Sequence, residues 1–463
     1  MTLTFFGACG NVTGSRFLLE GKNGRLLVDS GLYQEREFLS RNWETLPERP
    51  EDLTAVILTH AHLDHCGYLP CLVKAGFRGR IFCTPATAEI ARIVLLDAAR
   101  VQEEDAIFKR KRHQKEGRLP PYPEVPLYTE QDAEAVFPLL TPVEYQEEFF
   151  PFPGISVRLY DAGHILGAAT VKISYREGGK QKEIVFSGDI GRQEQPLLCP
   201  PEVPGEADFL LLESTYGDRL HQPWPVSVEK LKKIVVETAR LGGKVVIPSF
   251  AVERAQEVVY HLKRLFQAGT LPPLPVYVDS PMAINVTEIF EKFPDLFCGA
   301  IRDGLRQNEA IFDFPFLKLA RTVAESKEIN DITGPAIIIA GSGMCTGGRI
   351  KHHLVHTISQ PENTILFVGY QARGTLGREI LERPSAVRIH GQTHQVRARI
   401  EKINGFSAHA DRADLRHWVD SFFRKPERIF VIHGEDAARA GLTAALQGLA
   451  AVTLPEYRDV FQI

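Results

Sequence analysis

Short apolar segments separated by glycine-containing turns dominate the first 65 residues. These segments occupy residues 3–6, 16–20, 25–28 and 53–58, and their length and composition are typical of strands. Residues 86–112 differ, because their apolar positions repeat with the period of a helix. The helix is expected to end at a cluster of prolines, namely Pro120, Pro121, Pro123 and Pro126. The strand pattern then returns, at residues 155–160, 170–175, 184–186 and 208–212.

From about residue 214 the pattern changes to alternating helices and strands. Helices are predicted at residues 228–240 and 253–266, and strands at residues 244–247, 276–278, 336–340 and 365–368. The last two strands are almost wholly apolar, as buried parallel strands are. After about residue 395 the earlier style returns, with a strand at 428–432. This order predicts a first domain in residues 1–209, an inserted three-layer α/β domain in residues 210–395, and the end of the first domain in residues 396–463.

Four side chains of metal-binding type lie within six residues, directly after the strand predicted at 53–58. They are His60, His62, Asp64 and His65. Imidazole and carboxylate groups together suit zinc, and also manganese or iron. One tetrahedral ion cannot easily use all four groups at this spacing, whereas two adjacent ions can. The segment therefore predicts a two-metal site.

Acidic residues and histidines also follow several other predicted strands, usually beside a glycine that allows a tight turn. They are Asp29, His164, Asp189, Glu213 and His433. Taken singly, each of them could be a turn aspartate or a hydrogen-bonded histidine. Strands that end at one edge of a sheet would bring these groups together beside residues 60–65, and we expect that arrangement.

Composition sets broad limits on function. The chain has 463 residues, a formal net charge of −4, and 44% hydrophobic and 24% charged residues, as in an ordinary soluble protein. A protein that wraps nucleic acid on all sides would be basic, so RNA binding here needs a local basic groove. No apolar run reaches the roughly 18 residues of a membrane span, and no membrane association is expected. Seven cysteines without a C-x-x-C pair argue against a disulfide framework and a cysteine zinc site, and favour a reducing cytoplasm.

Together the motifs resemble the metallo-β-lactamase superfamily and its β-CASP branch. The motifs of the metallo-β-lactamase fold have similar counterparts here in residues 60–65, Asp29, His164 and Asp189. The three additional β-CASP motifs have similar counterparts in Glu213, His409 and His433. The resemblance covers nearly the whole chain and is strongest for the cleavage-and-polyadenylation endonuclease group, including its bacterial members. It implies an α/β fold, an αββα metallo-β-lactamase sandwich with an inserted three-layer α/β β-CASP domain.

The resemblance also implies a ligand set for each of two zinc ions, with manganese or iron as alternatives. One ion would be held by His60, His62, His164 and Asp189. The other would be held by Asp64, His65, His433 and, as a bridge, Asp189. Asp29 would orient a ligand histidine or the shared water.

The activity implied is hydrolysis of RNA phosphodiesters by an endonuclease, for RNA processing or decay. The DNA-processing branch usually has an apolar residue at the position of His433, so the histidine favours RNA. Two ions about 3.5–4 Å apart can lower the pKa of a shared water and clamp the attacking and leaving oxygens. The expected products carry a 5′-phosphate and a 3′-hydroxyl. His409 is the candidate donor of the proton that the leaving oxygen needs, and Glu213 would hold it and favour its charged form.

Contacts to single-stranded RNA are expected from the inserted domain. The candidate residues are Ser249, Arg254, Ser342, Gly343 and Arg373. The glycine-rich turn at 341–343 follows a predicted strand and could present backbone N–H groups to a phosphate. The choice between a monomer and a homodimer stays open.

Three alternative functions remain. A 5′-to-3′ exoribonuclease of the same branch would use the same chemistry. A lactamase-like or thioester hydrolase acting on a small molecule would share the metal loop, but would not need a large insert, Glu213 or His409. A non-catalytic partner subunit would usually lack metal ligands, and no ligand motif is missing here.

Overall fold

The structure, a computed structural model, describes residues 1–44, 49–117 and 123–463. It divides into two compact units, which we call unit 1 (Met1–Leu220 with His409–Ile463) and unit 2 (His221–Ala408). Both boundaries lie later in the chain than the predicted ones, at 209/210 and 395/396. The reason is strand pairing, because Phe209–Glu213 pairs within unit 1 and Arg399–Lys402 pairs within unit 2.

The first segment of unit 1 contains the elements that the opening half of the sequence predicts. Its strands are β1 (Thr2–Phe5), β2 (Phe17–Gly21), β3 (Gly24–Val28), β4 (Ala55–Ile57), β5 (Arg80–Cys83), β6 (Leu140–Pro142), β7 (Ile155–Asp161), β8 (Ala169–Glu177), β9 (Lys180–Phe186) and β10 (Phe209–Glu213). Its helices are α1 (Leu63–Cys66), α2 (Leu69–Lys74), α3 (Pro85–Glu116) and α4 (Glu130–Glu134). Helix α3 is followed by Gly117 in the left-handed conformation, with φ 61°. Pro120 and Pro121 lie outside the described residues.

Unit 2 alternates helices and strands. The helices are α5 (Trp224–Arg240), α6 (Arg254–Gln267), α7 (Pro281–Phe290), α8 (Gly299–Arg306), α9 (Val323–Asp331), α10 (Ile350–Thr357) and α11 (Leu376–Leu381). The strands are β11 (Lys244–Pro248), β12 (Val276–Asp279), β13 (Leu317–Leu319), β14 (Ala336–Ala340), β15 (Thr364–Phe367), β16 (Ala386–Ile389), β17 (Gln392–Gln395) and β18 (Arg399–Lys402). The chain then returns to unit 1 with α12 (Arg412–Asp420), β19 (Arg428–Ile432), α13 (Asp436–Ala445), β20 (Ala451–Thr453) and β21 (Val460–Gln462).

Unit 1 is a sandwich of two sheets. One has the strand order β21-β1-β2-β3-β4-β5-β6 and the other β20-β19-β10-β9-β8-β7. Their inner faces pack through aromatic side chains, with ring centroids 5.4 Å apart for Phe5 and Phe430. The outer face of the second sheet is covered by α12 and α13, which contribute Trp418 and Leu442 to a buried core. Helix α3 contacts β6 at the edge of the first sheet. The predicted αββα sandwich is confirmed.

Unit 2 is built on a parallel sheet with the order β13-β12-β14-β11-β15-β18. Its central strand β14 is apolar and buried along its whole length, and its ends match the prediction. Helix α10 packs on the sheet through Leu354, which shares a core with Val246 and Ile365. An antiparallel hairpin, β16 and β17, accompanies the sheet. The predicted parallel α/β organisation is confirmed.

Two expectations from composition can be compared with the structure. Within the described ranges, no helix is both long enough and apolar enough to cross a membrane. The free cysteines are Cys9, Cys66, Cys71, Cys83 and Cys345. Cys199 and Cys298 are disulfide-bonded. The expectation that the cysteines form no disulfide framework therefore fits the other five.

A buried carboxylate joins several elements of unit 2. Asp279 ends β12 and has no solvent exposure. It accepts hydrogen bonds from Ser326 Oγ in α9 (2.6 Å), Arg349 Nη1 before α10 (2.7 Å) and His353 Nε2 in α10 (2.6 Å). Burial raises the pKa of Asp279, but these hydrogen bonds outweigh burial and hold the pKa below its ordinary value. The ionised carboxylate therefore stabilises the folded unit.

Asp279→Asn keeps the shape of the side chain and removes its charge, which leaves Arg349 without its anion. We expect the free energy of unfolding to fall by about 3 kcal/mol at pH 7. Because the folded-state pKa is depressed, the advantage of Asp over Asn is fully present above about pH 3.9, the unfolded-state value, and is lost progressively below it. Urea unfolding of the full chain between pH 7 and pH 3 measures both effects.

Asp295→Asn is the matched control, because Asp295 pairs with Arg306 at an exposed site. Its stability should stay near the wild-type value, since exposed ion pairs contribute little. Equal losses in the two variants would contradict the role assigned to the Asp279 cluster.

Candidate metal centre

Parallel strands bring the predicted ligands to one edge of each sheet of unit 1. In the second sheet β9, β10 and β19 run parallel, and Asp189, Glu213 and His433 lie at or just after their carboxyl ends. In the first sheet β3 and β4 run parallel, and Asp29 and His60 follow them. Because the carboxyl ends of parallel strands share an edge, side chains far apart in sequence meet there.

The first group consists of His60, His62, His164 and Asp189, whose potential ligand atoms all lie within 4.8 Å of one another. His62 Nδ1 is 3.1 Å from His60 Nε2 and 3.2 Å from His164 Nε2. Asp189 Oδ2 is 3.4 Å from His60 Nε2 and 3.6 Å from His164 Nε2. These are the side chains that the sequence assigned to one ion.

The second group consists of Asp64, His65 and His433, which meet the same distance limit. His433 Nε2 is 3.3 Å from His65 Nε2 and 3.5 Å from Asp64 Oδ2. The other oxygen of Asp189, Oδ1, lies 3.5 Å from His65 Nε2. Asp189 therefore presents one oxygen to each group.

The atoms in these groups fit bound cations better than they fit hydrogen bonds. Three ring nitrogens gathered around one point cannot all be donor and acceptor partners of one another. Tetrahedral zinc, with bonds of about 2.0–2.1 Å, separates its ligand atoms by roughly 3.3–3.4 Å. In addition, Asp189 Oδ1 is buried without a hydrogen-bond partner among the described residues, which is costly for a carboxylate. The donor set therefore suits two cations.

Burial and neighbouring charges perturb the histidines in opposite directions. Burial, reinforced by the adjacent histidines, lowers the pKa of His60 and His164 well below the ordinary value. Burial lowers the pKa of His62 to about 3. Burial also acts on His433, but neighbouring carboxylates, Asp189 foremost, outweigh it and raise its pKa to about 10. The excess of carboxylate that raises this pKa also attracts a cation, which would compete with the proton.

Asp29 lies behind the ligand side chains. It is buried and accepts a hydrogen bond from His65 Nδ1 at 2.7 Å. It also accepts hydrogen bonds from the backbone N–H and the hydroxyl of Thr59, at 2.8 and 2.9 Å. A carboxylate that holds Nδ1 leaves His65 Nε2 facing the cluster, which is the orienting position that the sequence predicted.

Glu213 is fully buried and already hydrogen-bonded through both oxygens. Its Oε1 accepts from Ile190 N at 2.7 Å, and its Oε2 accepts from Thr215 Oγ1 at 2.6 Å. His409 Nδ1 lies 3.2 Å from Oε1 and 3.3 Å from Oε2. Glu213 also lies within 4.8 Å of Asp189 and His433, but its oxygens are engaged by donors of the protein. Glu213 is therefore better suited to holding His409 than to binding a metal ion.

His409 sits beside the first group without belonging to it. A β-bridge joins it to Gly191, and Ala410 N donates to Ile190 O at 2.7 Å. Its ring centroid lies 4.4 Å from that of His164. Burial lowers the pKa of His409, but nearby carboxylates, Glu213 foremost, outweigh burial and raise it. The imidazolium form is thus favoured at this position.

Two threonines of the site were missed by the sequence reasoning. Thr59 contacts Asp29 and His60, and Thr215 contacts Glu213 and His433. The signal available was their position beside strand ends that carry candidate ligands. Threonine is common in and near strands, so that position alone does not distinguish them.

Two of the predicted RNA contacts in unit 2 are buried. Ser249 is buried, and its hydroxyl donates to the carbonyl of Phe250 at 3.0 Å. Arg254 is buried in an ion pair with Glu257. Both side chains are therefore buried in the structure. Their contacts with RNA stay predictions.

The remaining candidates in unit 2 differ in what they offer. Ser342 N donates to Gly347 O at 3.3 Å, and Ser342 Oγ accepts from Gly347 N at 3.2 Å. Some of the hydrogen-bonding groups of the turn at 341–343 are therefore already bonded to the neighbouring residue Gly347. Gly343 is buried, and a side chain there would collide with the ring of Phe250. Arg373 is exposed.

Sequence profiles of three domain families match the chain. A metallo-beta-lactamase superfamily domain matches residues 18–198, a Beta-Casp domain matches residues 255–380, and a Zn-dependent metallo-hydrolase RNA specificity domain matches residues 393–452. The first and last matches fall mainly in unit 1, and the second falls in unit 2. The matches follow the order of domains that the motifs implied.

Individual proteins resemble the chain over most of its length. Ribonuclease TTHA0252 of Thermus thermophilus is 38% identical over 436 residues, which are 94% of this chain and 94% of the relative. Transcription termination factor FttA of Methanocaldococcus jannaschii is 33% identical over 94% of this chain and 67% of the relative. A crystal structure of a protein of unknown function from Enterococcus faecalis is similar in fold, with 13% identity, a TM-score of 0.52 and 99% of both chains covered. The chain belongs to the β-CASP branch of the metallo-β-lactamase superfamily.

Proposed function

We propose that the protein is a two-metal ribonuclease that binds two zinc ions and cleaves single-stranded RNA internally. The observation that carries the proposal is the convergence of two ligand groups on the two oxygens of Asp189, in a chain similar to a named ribonuclease. Manganese or iron would suit the same donor atoms. Five of the seven cysteines are free, two are disulfide-bonded, and on the free majority we assign the protein to a reducing cytoplasm.

Each ion has a proposed set of ligands. His60, His62, His164 and Asp189 would hold one ion, and Asp64, His65, His433 and Asp189 would hold the other. Bound there, two zinc ions would supply Lewis acidity and lower the pKa of a shared water towards neutrality. The protein contributes the fixed positions of these groups, which are buried at strand ends and held from behind by Asp29.

The proton for the leaving oxygen comes, in this proposal, from His409. Glu213 holds Nδ1 of the ring, and Nε2 is the atom that we propose contacts the substrate. The side chain of His409 is 16% exposed and that of Glu213 is fully buried. Of these two residues, only the histidine can therefore be reached by a substrate. His409 Nε2 would protonate the 3′-oxygen as its bond to phosphorus breaks and water attacks. The products are a 3′-hydroxyl and a 5′-phosphate.

RNA is proposed as the substrate on the strength of the relatives and of His409. The Thermus thermophilus relative is named a ribonuclease, and the profile over residues 393–452 is described as an RNA specificity domain. Arg373, Ser342 and Gly343 remain the proposed phosphate contacts of unit 2. A small-molecule hydrolase could use the same metal groups. If its substrate had a leaving group that departs without a proton, such as a thiolate, the Glu213–His409 pair would not be needed.

Replacing the shared carboxylate tests the two-metal assignment. Asp189→Ala should lower occupancy of both zinc sites and abolish cleavage, because one oxygen faces each group. Asp64→Ala is the matched comparison and should lower occupancy of one site. Zinc content per chain by atomic emission, after removal of free metal, measures both. Two retained ions in Asp189→Ala would refute the shared role.

Circular RNA distinguishes internal cleavage from attack at an end, since it offers no 5′ terminus. We expect the wild-type protein to linearise circular RNA and to cut linear RNA whose 5′ end is blocked. The Asp189→Ala protein, prepared in parallel, controls for contaminating nucleases. Degradation restricted to linear RNA with an open 5′ end would identify a 5′-to-3′ exonuclease. Turnover of a lactam or a glutathione thioester with RNA left intact would identify a small-molecule hydrolase.

His409→Ala should slow cleavage by about 10²–10⁴-fold, the usual contribution of a general acid, while zinc content stays near that of the wild type. The loss should be much smaller for RNA with a 3′-bridging phosphorothiolate, whose leaving group needs no proton. His417→Ala, which removes an exposed histidine from α12, is the control and should cleave normally. An equal loss with both substrates would exclude the acid role, and loss of zinc would make His409 a ligand.

A further inference from the structure

Thr59 stands between a carboxylate and a ligand histidine of the first group. Its Oγ1 lies 2.9 Å from Asp29 Oδ2 and 3.0 Å from His60 Nδ1. Its backbone N–H donates to the other oxygen of Asp29 at 2.8 Å. The side chain is buried, with the residue 1% exposed, so bulk water does not compete for these contacts. Thr59 thus donates two hydrogen bonds to Asp29, and the oxygen of its hydroxyl also contacts His60.

Thr215 occupies the corresponding place in the second group. Its Oγ1 lies 2.6 Å from Glu213 Oε2 and 3.0 Å from His433 Nδ1. Its backbone N–H donates to Glu213 Oε2 at 3.3 Å. The residue is 3% exposed. Two threonines that are 156 positions apart in the sequence, in loops after strands of different sheets, therefore share one feature, a hydroxyl that contacts both a carboxylate and Nδ1 of a histidine.

The direction of these hydrogen bonds follows from the number of protons available. A hydroxyl has one proton to donate, and an ionised carboxylate can only accept. Thr59 must therefore donate to Asp29, and Thr215 must donate to Glu213. In its contact with the histidine, the oxygen of each hydroxyl then accepts a hydrogen bond from Nδ1–H. A neutral imidazole protonated at Nδ1 has its lone pair at Nε2.

The consequence for the cluster is a set of unprotonated Nε2 atoms that face one another. Asp29 holds His65 directly through Nδ1, so Nε2 is the unprotonated nitrogen in the neutral form of His65 as well. When both rings are neutral, as metal-binding histidines are, His65 Nε2 and His433 Nε2 meet at 3.3 Å with no proton between them. Two facing lone pairs repel each other unless a cation lies between them. The threonine contacts therefore prepare the histidines for a metal ion rather than for a hydrogen bond.

We propose that Thr59 and Thr215 are positioning residues, each of which fixes the tautomer and ring orientation of one metal-binding histidine, His60 and His433 respectively. This inference rests on the proposed two-metal function and adds one supporting hydroxyl to each ion. We call each arrangement of carboxylate, threonine hydroxyl and histidine a relay. Groups behind metal ligands typically change metal affinity by about 10–100-fold when they are removed.

The two relays predict separable defects. Thr59→Val and Thr215→Val each keep the shape of the side chain and remove the hydroxyl. Each should weaken the zinc-binding step of its own histidine by about 10–100-fold and affect the other step less. Thr59→Ser and Thr215→Ser retain the hydroxyl and should recover most of the affinity. Titration of metal-free protein with zinc, in competition with a chromogenic chelator, measures both steps without using activity.

Thr238→Val is the matched control. Thr238 is buried in unit 2, and its hydroxyl pairs with that of Thr364 at 2.7 Å. This variant loses a buried hydrogen bond but should bind zinc as the wild type does. Thermal unfolding of the metal-free variants reports any general loss of stability. Should a valine variant fail to fold, Thr→Ala and Thr→Ser at the same position make the same comparison.

Wild-type zinc affinity in both valine variants would overturn the relays, and so would a serine variant as weak as its valine counterpart. A loss of thermal stability with unchanged affinity would assign the threonines a structural role only and would likewise overturn the proposal. Uptake of fewer than two ions by the wild-type protein is a different failure. It would contradict the proposed function, and with it the relay of whichever histidine holds no ion.

Discussion

A carboxylate buried among imidazoles is the constraint on which the architecture of unit 1 depends. Asp189 is 2% exposed, and its two oxygens face different histidine groups. Burying an ionised carboxylate costs several kcal/mol unless charge or hydrogen bonds compensate it. Among the described residues, Oδ1 has no hydrogen-bond partner. A cation in each group would supply the missing compensation, and bound metal would then help to stabilise the strand ends.

Two further carboxylates, one from each sheet, organise the histidines around that centre. Asp29 follows β3 and Glu213 ends β10. Each contacts one histidine directly and a second through a threonine hydroxyl. The difference lies in the direct partner, since His65 belongs to a ligand group whereas His409 does not. The same supporting arrangement can therefore orient a ligand at one carboxylate and a proton donor at the other.

The sequence predicts best the features that follow from local pattern. Strand β19 has the predicted ends, and the candidate ligands are recognisable because each follows an apolar strand and several lie beside glycine. Features that depend on pairing between distant segments were not predictable. The boundary predicted near residue 210 differs from the unit boundary after Leu220 because β10 pairs with β9 and β19, and β19 lies more than 200 residues away.

Contacts made in the folded chain also show what the sequence does not reveal at single residues. Arginine is a residue type that commonly contacts phosphate, which made Arg254 a candidate. Its burial at the start of α6 and its ion pair with Glu257 are visible only in the structure. Thr59 and Thr215 resemble ordinary strand-end threonines until their carboxylate and histidine partners are seen. Their importance depends on contacts that span 30 residues between Thr59 and Asp29, and 218 residues between Thr215 and His433.

The central claim is that Asp189 is shared by two metal ions. The most direct measurement is a crystal structure of the wild-type protein grown with zinc, with an anomalous difference map recorded at the zinc absorption edge. The account predicts two peaks about 3.5–4 Å apart, one beside His60, His62 and His164 and one beside Asp64, His65 and His433. Each peak should lie next to a different oxygen of Asp189. A single peak, or peaks elsewhere with these side chains free of metal, would contradict it.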